Sequence, residues 1–253
     1  MRILIIADIH GNWEALQSIV EAETYDILIC AGDIVDFGSR PRKCVDYIKN
    51  NCNIAVMGNH DWAVADNSDP GAVNDTWRSI CRKSGFITRK QLGVTNLKYL
   101  LDLPVKRHVK INGEYFFIIH GAPSNPLGKY VERSASVDEL DYEFGRVDAK
   151  YIIIGHSHFP MLKKIRDKYI INPGSVGQPR DGYNTASYVV LEDGEILFKR
   201  IAYDIDSSLK GYNNWRLTKE EYEQLAQLLK TGSYEEMHLR PELYRAKIEI
   251  DIT

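Results

Sequence analysis

The chain has 253 residues, of which 44% are hydrophobic and 26% are charged. This composition is typical of a globular protein and excludes the disordered and fibrous classes. The 32 basic and 35 acidic residues give a formal net charge of −3, so the basic excess expected of a non-specific nucleic-acid binder is missing. Apolar runs such as residues 3–7 are far shorter than the roughly 18 residues of a membrane span. We therefore expect no stable nucleic-acid complex and no membrane protein.

The first part of the chain alternates strand and helix patterns. Three apolar runs predict buried strands, at residues 3–7, 26–31 and 53–57. Helical spacing after the first run predicts a helix with Asn12 as its N-cap, and Pro41 opens a second helix over residues 41–50. Alternating strands and helices predict a parallel sheet covered by helices, which is an α/β fold.

The rest of the chain is richer in strands. A helical stretch over about residues 70–103 ends at Pro104, and Asn112-Gly113 predicts a hairpin turn. Further strand patterns cover residues 105–111, 114–119, 151–154, 161–165, 169–171, 186–191 and 195–201. They predict a second sheet packed on the first.

The C-terminal part contains a well-marked helix over residues 218–231. Thr218 and Glu221 form a capping box at its start. We expect this helix to pack on the sandwich through Tyr222, Leu225 and Leu229; a cap over the functional site or a dimer contact are the alternatives.

Beyond that helix, apolar residues alternate with charged ones and predict a half-buried strand. They are Ile248, Ile250 and Ile252. We find no repeat and no linker, so we predict one domain, with a core over about residues 1–203 and a helix and strand extension over about residues 204–253.

Four cysteines lie in the first third of the chain and form no C-x-x-C pair. They are Cys30, Cys44, Cys52 and Cys81. A strand-like run begins almost at Met1, so we expect no secretory leader. Buried, reduced thiols and a cytoplasmic location are therefore expected.

Side chains able to bind metal follow the predicted strands, at the point where each strand ends. They are Asp8, His10, Asp33, Asn59, His120, His156 and His158. Together with His60, five of the seven histidines lie in these turns. Because strand ends meet at the rim of an α/β sheet, where such folds place their ligand sites, we expect these side chains to converge.

The donor set favours divalent metal ions. Imidazoles with a few carboxylates suit Mn, Fe, Co, Ni or Zn rather than Ca²⁺, and no cysteine joins them as in a structural zinc site. The donors are too many for one catalytic ion. They divide into two sets of about four that share one carboxylate, as in two-metal hydrolytic sites. Manganese is the ion we expect to work in vitro, and the native metal stays open.

Five motifs stand in one order along the chain: Asp8-Ile9-His10, Gly32-Asp33, Gly58-Asn59-His60-Asp61, His120-Gly121 and Gly155-His156-Ser157-His158. Together they resemble the calcineurin-like metallophosphoesterase family. Residues 172–180 resemble its small bacterial and archaeal branch, which is phosphodiesterase-like. The resemblance implies a four-layer αββα sandwich of two mixed β-sheets flanked by helices.

Position by position, the resemblance also implies roles. One metal would be held by Asp8, His10 and His158. The other would be held by Asn59, His120 and His156. Asp33 would bridge the two ions, and His60 would face the scissile phosphate ester without binding metal.

The chemistry of phosphate esters agrees with this assignment. A nucleophile that approaches an anion needs concentrated positive charge, and two divalent ions supply it while lowering the pKa of bound water from about 15.7 towards about 7. We expect the hydroxide that bridges the ions to attack phosphorus in line, opposite the leaving alkoxide. His60 would protonate that alkoxide, typically a 10²–10⁴-fold effect.

Three further residues are candidates beside the phosphate. Asp36 stands where the protein-phosphatase branch pairs an aspartate with the catalytic histidine, so it is predicted to orient His60; an ordinary solvated loop carboxylate is the alternative. Phe37 replaces an arginine of that branch, which argues against a phosphoprotein and provides an aromatic ring to stack on a base or sugar. Arg180 can bind a non-bridging phosphate oxygen, unless it is a surface arginine of its loop.

Other polar residues of the motifs are expected to be structural. Asp61 is predicted to bond to the backbone of its turn, and Asn172 and Ser175 to shape their loop. His108 and His238 lie outside every motif and are expected on the surface. The polar, turn-rich loop over residues 122–133 is typical of a substrate-facing segment.

The sequence thus predicts a cytoplasmic, two-metal phosphoesterase that acts on a small phosphodiester or nucleotide. A phosphomonoesterase, including a serine/threonine protein phosphatase, is the alternative within the enzyme class. A non-catalytic scaffold is the alternative outside it, because some proteins of this fold, including a retromer subunit, have lost active-site residues. The intact donors and His60 argue against a scaffold. The oligomeric state and the substrate stay open.

Overall fold

A computed structural model describes residues 1–71 and 74–233. The strands of these residues are β1 (Arg2–Ile6), β2 (Ile27–Cys30), β3 (Ile54–Ala55), β4 (Lys106–Ile111), β5 (Glu114–Ile119), β6 (Tyr151–Ile153), β7 (Pro160–Ile165), β8 (Lys168–Pro173), β9 (Ala186–Glu192) and β10 (Glu195–Ile201). The helices are α1 (Trp13–Ala22), α2 (Pro41–Asn51), α3 (Asn59–Asp66), α4 (Asp75–Leu101), α5 (Val137–Phe144), α6 (Ile205–Lys210) and α7 (Lys219–Thr231). Helix α4 is broken at Gly93, whose backbone is not helical.

The strands form two mixed sheets of five strands each. In the first sheet, the order is β10-β9-β1-β2-β3, in which β1, β2 and β3 are parallel and β9 is antiparallel to both of its neighbours, β1 and β10. In the second sheet, the order is β4-β5-β6-β8-β7, with the inner three strands parallel and both edge strands antiparallel. The predicted second sheet and the hairpin at Asn112-Gly113 are confirmed. The strands predicted at residues 186–191 and 195–201 complete the first sheet instead, because β9 pairs with β1.

Strand β1 explains why its sequence is a continuous apolar run. Ile3 and Ile5 point into the core between the two sheets. Leu4 and Ile6 point to the other face, into the core that the first sheet forms with α1 and α2. Because successive side chains of a strand alternate between faces, a strand covered on both sides needs apolar residues at every position.

Helix α5 covers the outer face of the second sheet. Its Leu140 and Phe144 pack in one cluster with Ile152 and Ile170. The layers are therefore helix, sheet, sheet and helix, which confirms the predicted αββα sandwich. Neither α5 nor α6 is among the predicted elements, because helices of eight and six residues are too short for an apolar repeat to stand out.

Helix α7 begins at the predicted capping box, in which Thr218 and the Glu221 side chain bond to each other's backbone. It packs through Leu225, Ala226, Leu228 and Leu229 against α4 and α6. The prediction that Tyr222 joins this contact is wrong: its side chain lies at the edge of the packed face and is 38% exposed. The predicted strand around Ile250 and the surface position of His238 lie outside the described residues.

Several smaller expectations can also be checked. All four cysteines are free thiols, and Cys30, Cys44 and Cys81 are buried. His108 is exposed on β4. No helix in residues 1–71 and 74–233 has an apolar stretch of the length that a bilayer requires. The single-domain organisation stays a prediction.

A buried carboxylate joins the end of α1 to the first sheet. Glu23 accepts hydrogen bonds from Arg2 of β1 at 2.6 Å, from Tyr188 of β9 at 2.7 Å and from Lys199 of β10. Burial alone would raise the pKa of Glu23, but the bonds from Lys199, Tyr188 and Arg2 outweigh it and lower the pKa to about 2. The ionised carboxylate therefore stabilises the folded state.

We expect Glu23→Gln to lower the free energy of unfolding at neutral pH by about 1–3 kcal/mol, because it removes charge-assisted hydrogen bonds. The lowered pKa means that the stabilisation is complete above the ordinary glutamate value of 4.5 and is lost as the pH falls towards about 2. Urea unfolding from pH 7 to pH 3 should show the two proteins converging in acid. Glu21→Gln, on the exposed face of α1, is the control; a Glu23 variant no less stable than this control would contradict the prediction.

Candidate metal centre

The predicted ligands lie just after the ends of strands from both sheets, and their side chains meet where the two sheets face each other. Asp8 and His10 follow β1, Asp33 follows β2, and Asn59 begins α3 just after β3. His120 follows β5, while His156 and His158 follow β6. All seven are buried. The predicted convergence of the strand ends is therefore confirmed.

The backbone at these strand ends is held in an uncommon conformation. Five of the predicted ligands have a positive φ angle, with values of 54° at Asp8, 48° at His10, 54° at Asp33, 69° at His156 and 64° at His158. Residues other than glycine rarely adopt positive φ angles, and those that do cluster at functional sites. The tight turns aim side chains from separate strands at one point.

Three imidazole rings are oriented by backbone carbonyls. The Nδ1 atoms lie 3.3 Å from the Val35 oxygen for His10, 2.7 Å from the Ala31 oxygen for His120 and 2.6 Å from the Gln178 oxygen for His158. A carbonyl accepts only from a protonated Nδ1. In the neutral rings of His10 and His158, Nε2 is then left with its lone pair directed into the centre, which is how metal-binding histidines are prepared.

The first group of donors contains Asp8, His10, Asp33 and His158, whose potential ligand atoms all lie within 4.8 Å of one another. The Nε2 atoms of His10 and His158 are 3.0 Å apart. His10 Nε2 and Asp33 Oδ2 are 3.7 Å apart, as are His158 Nε2 and Asp8 Oδ1. One cation could contact all four side chains.

The second group contains His120, His156 and again Asp33. His120 Nε2 lies 3.2 Å from Asp33 Oδ2 and 3.1 Å from the Asn59 Oδ1. The Asn59 amide nitrogen donates to the Pro70 carbonyl at 3.1 Å, so its oxygen is the atom turned to the centre. Asp33 thus belongs to both groups, in the position predicted for a bridging carboxylate.

Buried polar atoms without hydrogen bonds also indicate that the donors could bind metal ions. Among the described residues, three buried atoms of the centre have no hydrogen bond of good geometry: Asp8 Oδ2, Asp33 Oδ2, which has only the ion-pair contact with His120, and His156 Nε2. A buried polar atom without a partner costs free energy. Two carboxylate oxygens and an imidazole nitrogen are ligands that borderline divalent metals accept, so bound cations would satisfy all three.

The protonation of the centre also suits metal binding. Burial lowers the pKa of His10 and His158 well below the ordinary value and lowers the pKa of His156 to about 3. These imidazoles are therefore neutral and can bind metal. Burial would raise the pKa of Asp33, but the charges of His120 and His60 and the hydrogen bond from His120 together outweigh it and keep this carboxylate ionised. His120 differs from the other three imidazoles: burial lowers its pKa, but the charge of Asp33 and the bond to it outweigh this effect and raise the pKa to about 9, so a bound ion would have to displace the proton of its Nε2.

His60 lies beside the centre and belongs to neither group of donors. Its Nδ1 is 2.7 Å from the Asp36 Oδ2, and its backbone N–H donates to Asp33 Oδ1 at 2.8 Å. Burial lowers the pKa of His60, but Asp33 and Asp36 outweigh this effect and raise it. The predicted pairing of Asp36 with His60 is confirmed. Asp36 is 1% exposed, which excludes the alternative of a solvated loop carboxylate.

Phe37 does not provide the free ring that the sequence analysis expected. The residue is only 5% exposed, because α4, α6 and α7 enclose it in a cluster with Trp77 and Trp215. Its ring packs edge-on to His10, with 5.2 Å between ring centroids, and at 4.9 Å from His60. This burial argues against stacking of Phe37 on a base or sugar. Phe37 instead packs against the rings of His10 and His60 from the hydrophobic cluster.

Tyr130 is an aromatic residue of the centre that sequence reasoning missed. Its ring stacks on His156, with centroids 3.9 Å apart, and the residue is 45% exposed. The loop that carries it follows His120 and is folded by its own hydrogen bonds, such as Gly121 N–H to the Pro126 carbonyl at 2.8 Å. The only sequence signal was the substrate-facing character predicted for residues 122–133, which singles out no residue.

Arg180 lies beside the centre and is half-buried. Its guanidinium donates to the Gln178 side chain at 2.8 Å. The backbone carbonyl of Gln178 accepts from His158 Nδ1 at 2.6 Å, so the segment that carries Arg180 contacts a predicted metal ligand. Burial, followed by the charge of Arg180, lowers the pKa of His158. Binding of a phosphate oxygen by Arg180 stays a prediction.

The residues predicted to be structural support the turns. Asp61 accepts from the backbone of Ile34 at 2.8 Å and of Gly58 at 3.0 Å, within the turns next to Asp33 and Asn59. Ser175 donates to the Asp8 carbonyl at 2.7 Å, and Asn172 donates to the Gly155 carbonyl at 2.7 Å. These structural roles are confirmed.

Asn12 and Gly58 complete the local framework. The Asn12 side chain accepts from the backbone of Ala15 at 3.3 Å, which confirms it as the N-cap of α1. A Cβ atom at Gly58 would stand 2.0 Å from Asp33 Oδ1. Glycine is required there because the chain passes directly over the shared carboxylate.

Comparison with known proteins gives a consistent result. The family profile of the calcineurin-like phosphoesterase superfamily domain matches residues 1–194. An uncharacterised protein of Methanocaldococcus jannaschii, MJ0912, is 33% identical over 80% of this chain and 88% of its own. The phosphodiesterase YfcE of Escherichia coli K12 is 22% identical over 76% of this chain and 88% of its own.

Among solved structures, the metallophosphoesterase of Sphaerobacter thermophilus is similar to this chain with a TM-score of 0.75 and 32% identity. The similarity covers 92% of this chain and 99% of that one. On the match of the family profile and of these relatives, the chain belongs to the calcineurin-like phosphoesterase superfamily.

Proposed function

We propose that the protein is a phosphoesterase that works with two divalent metal ions and hydrolyses a small phosphodiester or nucleotide. The observation that carries this proposal is the sharing of Asp33 between two groups of buried donors, with a paired histidine beside them. A single structural metal site would need neither the second group nor His60.

The chain's own residues would hold the ions. One ion would be bound by Asp8, His10 and His158, and the other by Asn59, His120 and His156, with Asp33 between them. When bound, the two ions would supply the positive charge that a phosphate ester needs and would acidify a bound water.

His60 would donate a proton to the leaving group. Because its Nδ1 is bonded to Asp36, Nε2 is the nitrogen left to face a substrate. The P–O bond to the leaving group would break with its electron pair on the leaving oxygen, which would take the proton from Nε2. Arg180, on the edge of the same centre, has the fork of donors that a non-bridging phosphate oxygen requires.

Fewer observations support the preference for a phosphodiester than support a two-metal phosphoesterase. The preference follows from the name of the relative YfcE and from Phe37, which stands where the protein-phosphatase branch has an arginine. A phosphomonoesterase is the second candidate. The cytoplasmic location expected from the free thiols stays a prediction, as does manganese as the ion that supports activity.

Metal content tests the centre without reference to activity. We expect dialysed protein to bind two equivalents of Mn²⁺ per chain, measured by elemental analysis after removal of free metal, and to gain thermal stability on binding. His156→Ala should retain about one equivalent, since His156 belongs only to the second group. His108→Ala, at an exposed histidine, is the matched control. Wild-type protein that binds no Mn²⁺, Fe²⁺, Co²⁺, Ni²⁺ or Zn²⁺ would contradict the proposal and favour the scaffold.

For His60→Asn, we expect kcat for an ester with a basic leaving group, such as methyl phenyl phosphate or phenyl phosphate, to fall by about 10²–10⁴-fold, because the variant cannot give a proton to the leaving oxygen. Its Mn²⁺ content should equal that of the wild type, since His60 belongs to neither donor group. Steady-state kinetics with added Mn²⁺, together with elemental analysis, checks both statements. Undiminished turnover at full metal content would remove His60 from the mechanism.

The class of ester can be decided by a direct comparison. With Mn²⁺ added, we expect kcat/KM for bis(4-nitrophenyl) phosphate to exceed that for 4-nitrophenyl phosphate. A phosphopeptide and a panel of cyclic nucleotides and dinucleoside polyphosphates extend the comparison to natural ester types. Higher kcat/KM for the monoester or the phosphopeptide would establish the phosphomonoesterase instead.

A further inference from the structure

Ser84 makes a contact with the histidine–aspartate pair that no motif of the sequence indicates. The residue lies on α4 and is 0% exposed. Its hydroxyl donates to the Asp36 Oδ1, and it accepts from the backbone N–H of Phe37 at 2.5 Å. Since the other oxygen of Asp36 bonds to His60, a chain of hydrogen bonds runs from Ser84 through Asp36 to His60.

We propose that Ser84 is a positioning residue for ester hydrolysis, which fixes the Asp36 carboxylate so that His60 holds its Nε2 towards the leaving oxygen. The inference rests on the proposed function, because it assigns Ser84 a part in the proton donation by His60. It adds a third member to the pair and places it on α4, a helix that carries none of the metal-binding motifs.

The local backbone shows why the carboxylate needs this support. Asp36 and Phe37 both have positive φ angles, 75° and 60°, at a sharp turn. Within the described residues, Asp36 Oδ1 accepts hydrogen bonds from the Ser84 hydroxyl and from the Phe37 N–H, the latter at 2.9 Å. Loss of the hydroxyl would leave a buried charged oxygen with one neighbouring donor of its own turn, which is costly and allows the carboxylate to rotate.

The position of Ser84 is itself secured from the C-terminal helices. The neighbouring Lys83 bonds to Glu221 of α7 at 2.6 Å, and Ser79, one turn earlier on α4, bonds to the same carboxylate at 2.6 Å. Ile80 and Cys81 pack in the cluster that encloses Phe37. Ser84 is therefore held on a rigid element, as a positioning residue must be.

The chemistry predicts which substrates need Ser84. When the P–O bond breaks, a 4-nitrophenolate can leave without a proton, whereas a more basic phenolate or alkoxide takes the proton of His60 as it leaves. Water supplies the new oxygen on phosphorus, and solvent afterwards returns a proton to His60. A defect that acts through His60 must therefore grow as the leaving group becomes more basic.

The test compares Ser84→Ala with wild type on methyl 4-nitrophenyl phosphate and methyl phenyl phosphate, or on the matching aryl monoesters if the protein prefers those. We expect kcat for the phenyl ester to fall by about 10–100-fold, with a smaller loss for the nitrophenyl ester and with KM and Mn²⁺ content unchanged. Thr88→Val is the matched control, because it removes from the same helix a buried hydroxyl that has no hydrogen-bond partner among the described residues. Ser84→Thr, which keeps the hydroxyl, should recover most of the activity.

Two further measurements keep the test decisive if Ser84→Thr does not fold. In an Asp36→Asn background, Ser84→Ala should have almost no additional effect, since both act on His60 along one path. In the metal-free protein, the NMR signal of the His60 Nδ1 proton, assigned with His60→Asn, should shift in Ser84→Ala and not in Thr88→Val.

The outcomes separate this inference from the proposed function. If the wild type is active but Ser84→Ala lowers kcat equally for both esters, the role of Ser84 alone is overturned. The same holds if the effects of Ser84→Ala and Asp36→Asn simply add. Wild type that hydrolyses no ester with any divalent metal would overturn the proposed function and, with it, this inference.

Discussion

The buried carboxylate of Asp33 is the group around which the two sheets are organised. Its Oδ2 lies 3.2 Å from His120 Nε2 and 3.7 Å from His10 Nε2, and its Oδ1 accepts from the His60 backbone. An ionised carboxylate is costly to bury unless positive charge and hydrogen bonds compensate it. The histidines that end strands of both sheets provide that compensation in the protein alone, and two divalent ions would complete it. Gly58 is part of the same arrangement because any side chain there would collide with this carboxylate.

The four-layer core provides the stability that the strained strand ends require. Positive φ angles at Asp8, His10, Asp33, His156 and His158 each cost conformational free energy. That cost is tolerable because the strands that lead into these turns, such as β1, are buried on both faces. The continuous apolar core supplies the stability and the turns supply the geometry of the site.

The histidine–aspartate pair depends on parts of the chain that contain no metal-binding motif. Helix α4 brings Ser84 to Asp36, and the cluster around Trp215 and Leu225 closes over Phe37. Helices α6 and α7 follow the segment that matches the family profile, residues 1–194. These C-terminal helices therefore shape the surroundings of His60, although no feature of their sequence relates them to it.

The sequence alone determined an α/β fold with two sheets and the set of candidate metal ligands, because apolar runs and the polar residues that end them are local patterns. The family resemblance of the motifs added the αββα order of the layers. It also indicated the pairing of Asp36 with His60. Only the tertiary structure decided which side chains touch the pair and which face the substrate: it buried Phe37, brought Tyr130 over His156 and carried Ser84 to Asp36. These contacts join elements that are far apart in the chain, and their geometry depends on how helices and loops pack. No periodicity or local motif records that packing.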